Sequence, residues 1–173
     1  SLSKKANEIT ADVYDAHLSS GYGLLKALKK QGSNKPFVHT VHGVLADEYE
    51  QERRNGYQSF RGRIANQFMY RLAKLEEETA KKATLIVTIS KYSLEKIQRH
   101  YHVEKAKVRI VPNGVNTEKF RPLKDREAIK RQFRLSNKLC VLFVGHLIPR
   151  KGLPFLVEAA KKIVKQRSDT QFV

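Results

Sequence analysis

Leu139 to Lys165 constrains the fold more than any other stretch of this 173-residue chain. Six consecutive apolar residues, Leu139-Cys140-Val141-Leu142-Phe143-Val144, run without polar alternation, which suits a strand covered on both faces of a parallel α/β sheet. The turn Gly145-His146-Leu147-Ile148-Pro149-Arg150-Lys151-Gly152 follows. Beyond it, Leu153, Leu156, Val157, Ala160, Ile163 and Val164 repeat at helical spacing, so the hydrophobic period changes from about 2 to about 3.6 across one loop. The unit is strand, loop, helix. Such a loop lies at the carboxyl end of its strand, where parallel sheets bind ligands. Arg150 and Lys151 put positive charge there, Gly152 permits close backbone approach, and the first helix amides point outward. The chemistry expected is anion binding, above all of phosphate. The plainer reading is a connection whose cations are only solvated.

The rest of the chain alternates in the same way. Asp12 to His17 reads as a short strand, and Ser19 or Ser20 as the cap of a helix to about Lys30. Pro36 to Val41 reads as a second strand, ending at His42-Gly43. Gly43 to Ser59 lacks clean periodicity and carries Asp47, Glu48, Glu50 and Glu52, so a long loop is expected, with at most a short helix. Those acids either touch a substrate or form a solvated loop. A long helix is predicted from Phe60 to Lys82, with Ile64, Phe68, Leu72 and Leu75 on one stripe. Thr84 to Ile89 is a third strand, Ser90 caps a helix to Arg99 with Leu94 and Ile97 inward, and Lys107 to Val111 is a fourth strand. The turn Pro112-Asn113-Gly114 and an extended connector, Val115 to Leu123, then lead to a basic helix, Asp125 to Arg134. Gln171-Phe172-Val173 has the look of a strand cut short, so the chain is expected to be an excerpt of a longer polypeptide. The fold class expected is α/β, a Rossmann-like parallel sheet with flanking helices, divided between Asn113 and Lys124.

The charge is +17, from 34 Lys and Arg against 17 Asp and Glu. Such an excess favours polyanionic partners and says nothing of fold. One reading of the chain is therefore a basic α/β module that binds nucleic acid or anionic lipid. Nucleic acid fits poorly, because the aromatic residues are not interleaved with basic ones as base stacking requires. Between Arg53 and Lys74 the charges are Arg53, Arg54, Arg61, Arg63, Arg71 and Lys74, with no acid among them. A one-signed segment of this kind can lie on an anionic membrane surface, or be a solvated helix face. No apolar run is long enough to span a bilayer. The single Cys140 cannot make an internal disulfide and is expected as a buried small hydrophobe, which fits a reducing cytoplasm. No Cys, His or carboxylate cluster has metal-ligand spacing, and His39 and His42, three apart on a strand, face opposite sides.

Four stretches now stand in a fixed order. They are Asp12-Val13-Tyr14-Asp15-Ala16-His17; Thr40-Val41-His42-Gly43; Ala83 to Ser90 with Val111 to Phe120; and Gly145 to Gly152. Together they resemble retaining glycosyltransferases of the GT-B fold, family 4, over nearly the whole chain. That resemblance implies a partial GT-B architecture. Residues 1–115 would be the second half of an acceptor-side Rossmann-like domain, and 116–173 a connector and the start of a donor-binding one. It implies hexosyl-type transfer from a nucleoside diphosphate sugar to a sugar, lipid or small-molecule acceptor, without a cofactor or metal. Apart from the resemblance, Cys140 makes the expected location cytoplasmic, and the segment Arg53 to Lys74 adds peripheral membrane contact as a further reading. The family's early glycine-rich loop and late acidic motif have no counterpart here, so this stretch alone is expected to be inactive. Residue by residue, Lys151 matches the lysine that neutralises the donor diphosphate. His146 stands where an arginine is usual, with Gly145 and Arg150 beside it on the donor side. His42 matches the histidine placed near the reacting sugar, as the catalytic candidate. His17 and Gly43 fall on the acceptor side. His100 and His102, near a helix end, need no catalytic role.

Overall fold

Alternation and periodicity sort the chain into two units, Ser1–Gly114 and Val115–Val173, in a computed structural model that describes residues 11–54, 60–147 and 151–173. In the first unit four short strands pair in parallel in the order β1-β2-β3-β4: β1 (Tyr14–His17), β2 (Phe37–Val41), β3 (Leu85–Thr88) and β4 (Val108–Ile110). Tyr14 and Ala16 on β1 are buried while Asp15 and His17 face out, so one side of this edge strand carries core and the other carries polar groups. Val41, Ile86, Ile97 and Tyr101 are fully buried at the centre of the core, with Leu25, Leu28 and Phe37 around them.

Helices fill the connections. Helix α1 (Gly21–Lys30) follows a short 3-10 turn, Leu18–Ser20. Ser20 does not cap it as expected. Its backbone is already helical (φ −63°, ψ −25°), and its hydroxyl turns back to donate to the His17 carbonyl. Ser90 does cap the helix α4 (Lys91–Tyr101): it is extended, and its Oγ accepts from the Ser93 amide at 3.1 Å.

Three expectations are corrected here. The segment after Gly43 is mainly a helix, α2 (Leu45–Arg54), whose acids Asp47 and Glu48 lie in the first turn and whose Arg53 and Arg54 lie in the last. That order complements the helix dipole, and the helix needs no apolar stripe of its own because a distant side chain holds its start. Helix α3 (Phe60–Lys82) forms as predicted but buries a different face. Ala73, Glu76, Thr79 and Ala80 point into the core, while Ile64 and Phe68 are exposed. Small residues there let α3 approach the start of α1 closely. The predicted turn at Pro112–Gly114 does not form. The chain turns at Thr117–Lys119, where Asn116 Oδ1 accepts from the Lys119 amide at 2.8 Å.

The second unit contains α5 (Arg126–Gln132), β5 (Leu139–Val141), α6 (Leu153–Gln166) and β6 (Thr170–Phe172). Asp125 caps α5 by accepting from the Ala128 amide at 2.9 Å. Strands β5 and β6 pair in parallel. The expected strand from Leu139 to Val144 covered on both faces is not found: β5 ends at Val141, and Val144 is 84% exposed. With β6 as its one neighbour among the described residues, β5 has too little sheet around it to bury the full run. Cys140 is half-buried rather than buried, its Sγ 3.6 Å from the Lys138 carbonyl. Among the described residues no helix is long and apolar enough to cross a membrane.

Candidate functional site

Parallel pairing sets His17, the last residue of β1, beside Thr40 on β2, and two residues further β2 gives way to His42. The register brings the two histidines together. His17 Nδ1 lies 2.9 Å from His42 Nε2, and the rings stack with centroids 5.2 Å apart. Asp15 shares the outward face of β1 with His17. Its Oδ2 lies 3.3 Å from His17 Nε2, and its Oδ1 accepts from the Thr40 hydroxyl at 2.9 Å. The carboxylate favours a proton on Nε2 of His17. With His17 neutral, its Nδ1 then accepts from Nε2–H of His42, which leaves Nδ1 of His42 as an acceptor for a substrate hydroxyl. Asp15, His17 and His42 thus form a polar chain at the carboxyl end of two parallel strands, where such sheets bind ligands. Sequence reasoning named both histidines and missed Asp15, although its spacing of two from His17 on a strand places both on one face.

His39 faces the opposite way. It is fully buried, its Nδ1 3.1 Å from the Ala16 carbonyl, and burial holds its pKa below the ordinary histidine value. A Cβ at Gly21 would come within 3.1 Å of that nitrogen and 2.9 Å of Thr79 Cγ2, so the start of α1 is glycine by necessity. At Gly43 a Cβ would meet only the end of a flexible side chain, Glu48 Oε1 at 2.8 Å. The Glu48 carboxylate thus lies beside the backbone that follows His42.

That turn is fastened from below. The Leu45 amide donates to Glu76 Oε2 at 2.9 Å, and the Tyr101 hydroxyl donates to the same oxygen. Glu76 is fully buried, and burial raises its pKa to about 7 against the pull of those two hydrogen bonds. Burial and the neighbouring Glu76 also push the Tyr101 hydroxyl up.

Asp47 does not belong to a solvated loop. It is buried, and accepts from Lys96 Nζ at 2.5 Å, Tyr92 hydroxyl at 2.7 Å and Gln51 Nε2 at 2.7 Å. Burial alone would raise its pKa, but those hydrogen bonds outweigh it and hold the carboxylate low. His100 completes the cluster, 3.5 Å from Asp47 Oδ1 and 3.7 Å from Glu50 Oε1. These side chains tie α2 to α4 and leave Asp47 no face for a substrate.

In the second unit Gly145, His146 and Lys151 are exposed, and Arg150 lies outside the described residues. Gly152 takes the left-handed conformation (φ 71°, ψ 16°) at the N-cap of α6, with Pro154 in the first turn. Only glycine takes that conformation freely, and it brings no side chain to occupy the first amides of α6, directly after Lys151 in the chain. Among the described residues no His, Cys, Asp or Glu group gathers to hold a metal ion.

A family model described as Glycosyltransferase Family 4 matches residues 1–119. Along its whole length the chain is 28% identical to the UDP-Gal:alpha-D-GlcNAc-diphosphoundecaprenol alpha-1,3-galactosyltransferase of Escherichia coli, covering 42% of that protein. It is 30% identical to spore coat protein SA of Bacillus subtilis across 91% of this chain and 38% of that one. The crystal structure of Anabaena HepE in complex with UDP-glucose shares its fold, with a TM-score of 0.67 at 14% identity, over 99% of this chain and 50% of HepE. The chain thus spans half or less of the length of these proteins.

Proposed function

This chain belongs to Glycosyltransferase Family 4, and from that premise we propose that it is part of an enzyme transferring a hexose from a nucleoside diphosphate donor with retention of anomeric configuration. The E. coli relative is named for a UDP-galactose donor and a diphosphoundecaprenol-linked acceptor, and HepE binds UDP-glucose. A UDP-hexose is accordingly the donor class, and a sugar or lipid-linked sugar the acceptor. Residues 1–115 serve the acceptor side, with His42, His17 and Gly43. Residues 116–173 open the donor side, where Gly145, His146, Arg150 and Lys151 meet the diphosphate. The reaction is cytoplasmic, and this stretch alone does not turn over.

The observation that carries the reading is the polar chain Asp15–His17–His42 at the strand ends. Its free acceptor, Nδ1 of His42, orients a hydroxyl of the sugar, and Asp15 holds the tautomer that leaves that nitrogen open. One oriented hydrogen bond in the transition state is worth a factor of roughly ten to a hundred. His42→Ala in the intact protein is therefore expected to lower kcat/KM by about that factor, and Asp15→Asn by less, at unchanged KM. Transfer from UDP-hexoses followed by NMR of the product's anomeric proton reads both rate and stereochemistry. No sugar transfer from any UDP-hexose, or inversion at the anomeric carbon, rejects the reading. Full activity in His42→Ala rejects the role of the histidine.

A further inference from the structure

The N-terminal half of α3 presents an apolar stripe that the core does not use. Phe60, Ile64 and Phe68 follow one another at intervals of four and are 77%, 57% and 62% exposed. At about 100° per residue they fall within roughly 80° of one another, and their centre lies roughly 130° around the helix from the mean direction of the buried Ala73, Glu76, Thr79 and Ala80. The stripe thus points away from the face that α3 buries against its neighbouring helices. Arg61 and Arg63 flank it on its two sides, and Arg71 stands in line with it one turn beyond Phe68; all three are exposed. From Arg53 to Leu75 the sequence holds no acidic residue.

We propose that this face of α3, from Phe60 to Arg71, docks on an anionic lipid bilayer. A bilayer surface offers an anionic layer directly above an apolar one. Phe and Ile along a stripe edged by arginines match those two layers, the rings entering the acyl boundary while the guanidinium groups meet phosphates. A soluble polyanion satisfies the arginines but leaves Phe60, Ile64 and Phe68 in water. A second copy of the chain, paired through the same face, would bring Arg61, Arg63 and Arg71 against their own kind, and like charges across an interface are repelled. The bilayer is the one partner that uses both halves of the surface. Docking of this kind holds the protein beside a lipid-linked acceptor and does not depend on which sugar is moved.

Co-sedimentation of the intact protein with vesicles tests the proposal without any turnover, so its outcome is separate from that of sugar transfer. Vesicles of phosphatidylcholine containing about one-third phosphatidylglycerol are expected to bind it at least tenfold more tightly than pure phosphatidylcholine, with the excess lost at high salt. Phe60→Ser/Ile64→Ser/Phe68→Ser and, separately, Arg61→Glu/Arg63→Glu/Arg71→Glu are each expected to weaken binding to the anionic vesicles at least tenfold. All six positions are exposed, so circular dichroism is expected to match the unaltered protein. Equal binding to both vesicle types, or undiminished binding by either variant, overturns the proposal. Light scattering that shows a dimer abolished by the serine variant also overturns it, in favour of a self-interface.

Discussion

Lys151→Ala in the intact protein is expected to slow sugar transfer by about 10²- to 10³-fold, the loss that follows removal of one preorganised stabilising group. As the anomeric bond breaks, negative charge accumulates on the departing diphosphate, so a cation placed there stabilises the transition state more than the bound donor. Lys151 directly precedes Gly152, whose left-handed backbone opens α6 and which has no side chain to occupy the first amides. On the proposed donor-side reading, the ammonium and the positive end of the helix act on one anion. Because the interaction grows along the reaction, the fall is expected mainly in kcat, with KM for the donor changed less. Lys151→Arg keeps the charge and is expected to recover a large part of the rate. Turnover of Lys151→Ala equal to the unaltered protein removes the lysine from the donor side. An equal rise in KM with unchanged kcat reduces it to a ground-state contact.

Periodicity made the four strands of the first unit and the helices α1, α3, α4 and α6 legible, because each carries its own pattern of apolar residues. Helix α2 carries none. Its start is held by Glu76, 31 residues further along the chain, and its flank by Lys96 and Tyr92, more than 40 residues away. Such a helix is set by tertiary contacts, and only its dipole-matched charges betray it locally. The stripe on α3 misled for the opposite reason: Ile64 and Phe68 have helical spacing, but spacing does not say which way the face points. At the site, His17 and His42 were legible one at a time and their contact was not. It arises from the β1–β2 register, which no local pattern encodes. Asp15 was overlooked because a carboxylate on an exposed strand face usually means solvent. Here Thr40 and His17 both engage it.

Stability is expected to fall as pH rises from about 4.5 to about 7, by about 3 kcal/mol, through Glu76. Burial raises its folded pKa to about 7 from an ordinary value of 4.5, so across that window the folded chain holds the proton and the unfolded chain does not. The contribution is complete below about 4.5 and gone once pH has passed through about 7. Protonated, Glu76 keeps Oε2 for the Leu45 amide and the Tyr101 hydroxyl; ionised, it is a buried charge whose Oε1 has no partner among the described residues. Glu76→Gln preserves the acceptor without the charge. Urea unfolding followed by circular dichroism is expected to show a nearly flat profile for it between pH 5 and 8, crossing above the unaltered protein near neutrality. Glu76→Ala is expected to cost about 2–5 kcal/mol even at pH 5, since two buried donors lose their acceptor at once. The same loss reaches the site, because the Leu45 amide fixes the first turn of α2 only three residues after His42. A Gln variant that keeps the slope of the unaltered protein would show that another group titrates in this range. An Ala variant as stable as the unaltered protein at pH 5 would show that α2 is held at its start by something other than this carboxyl group.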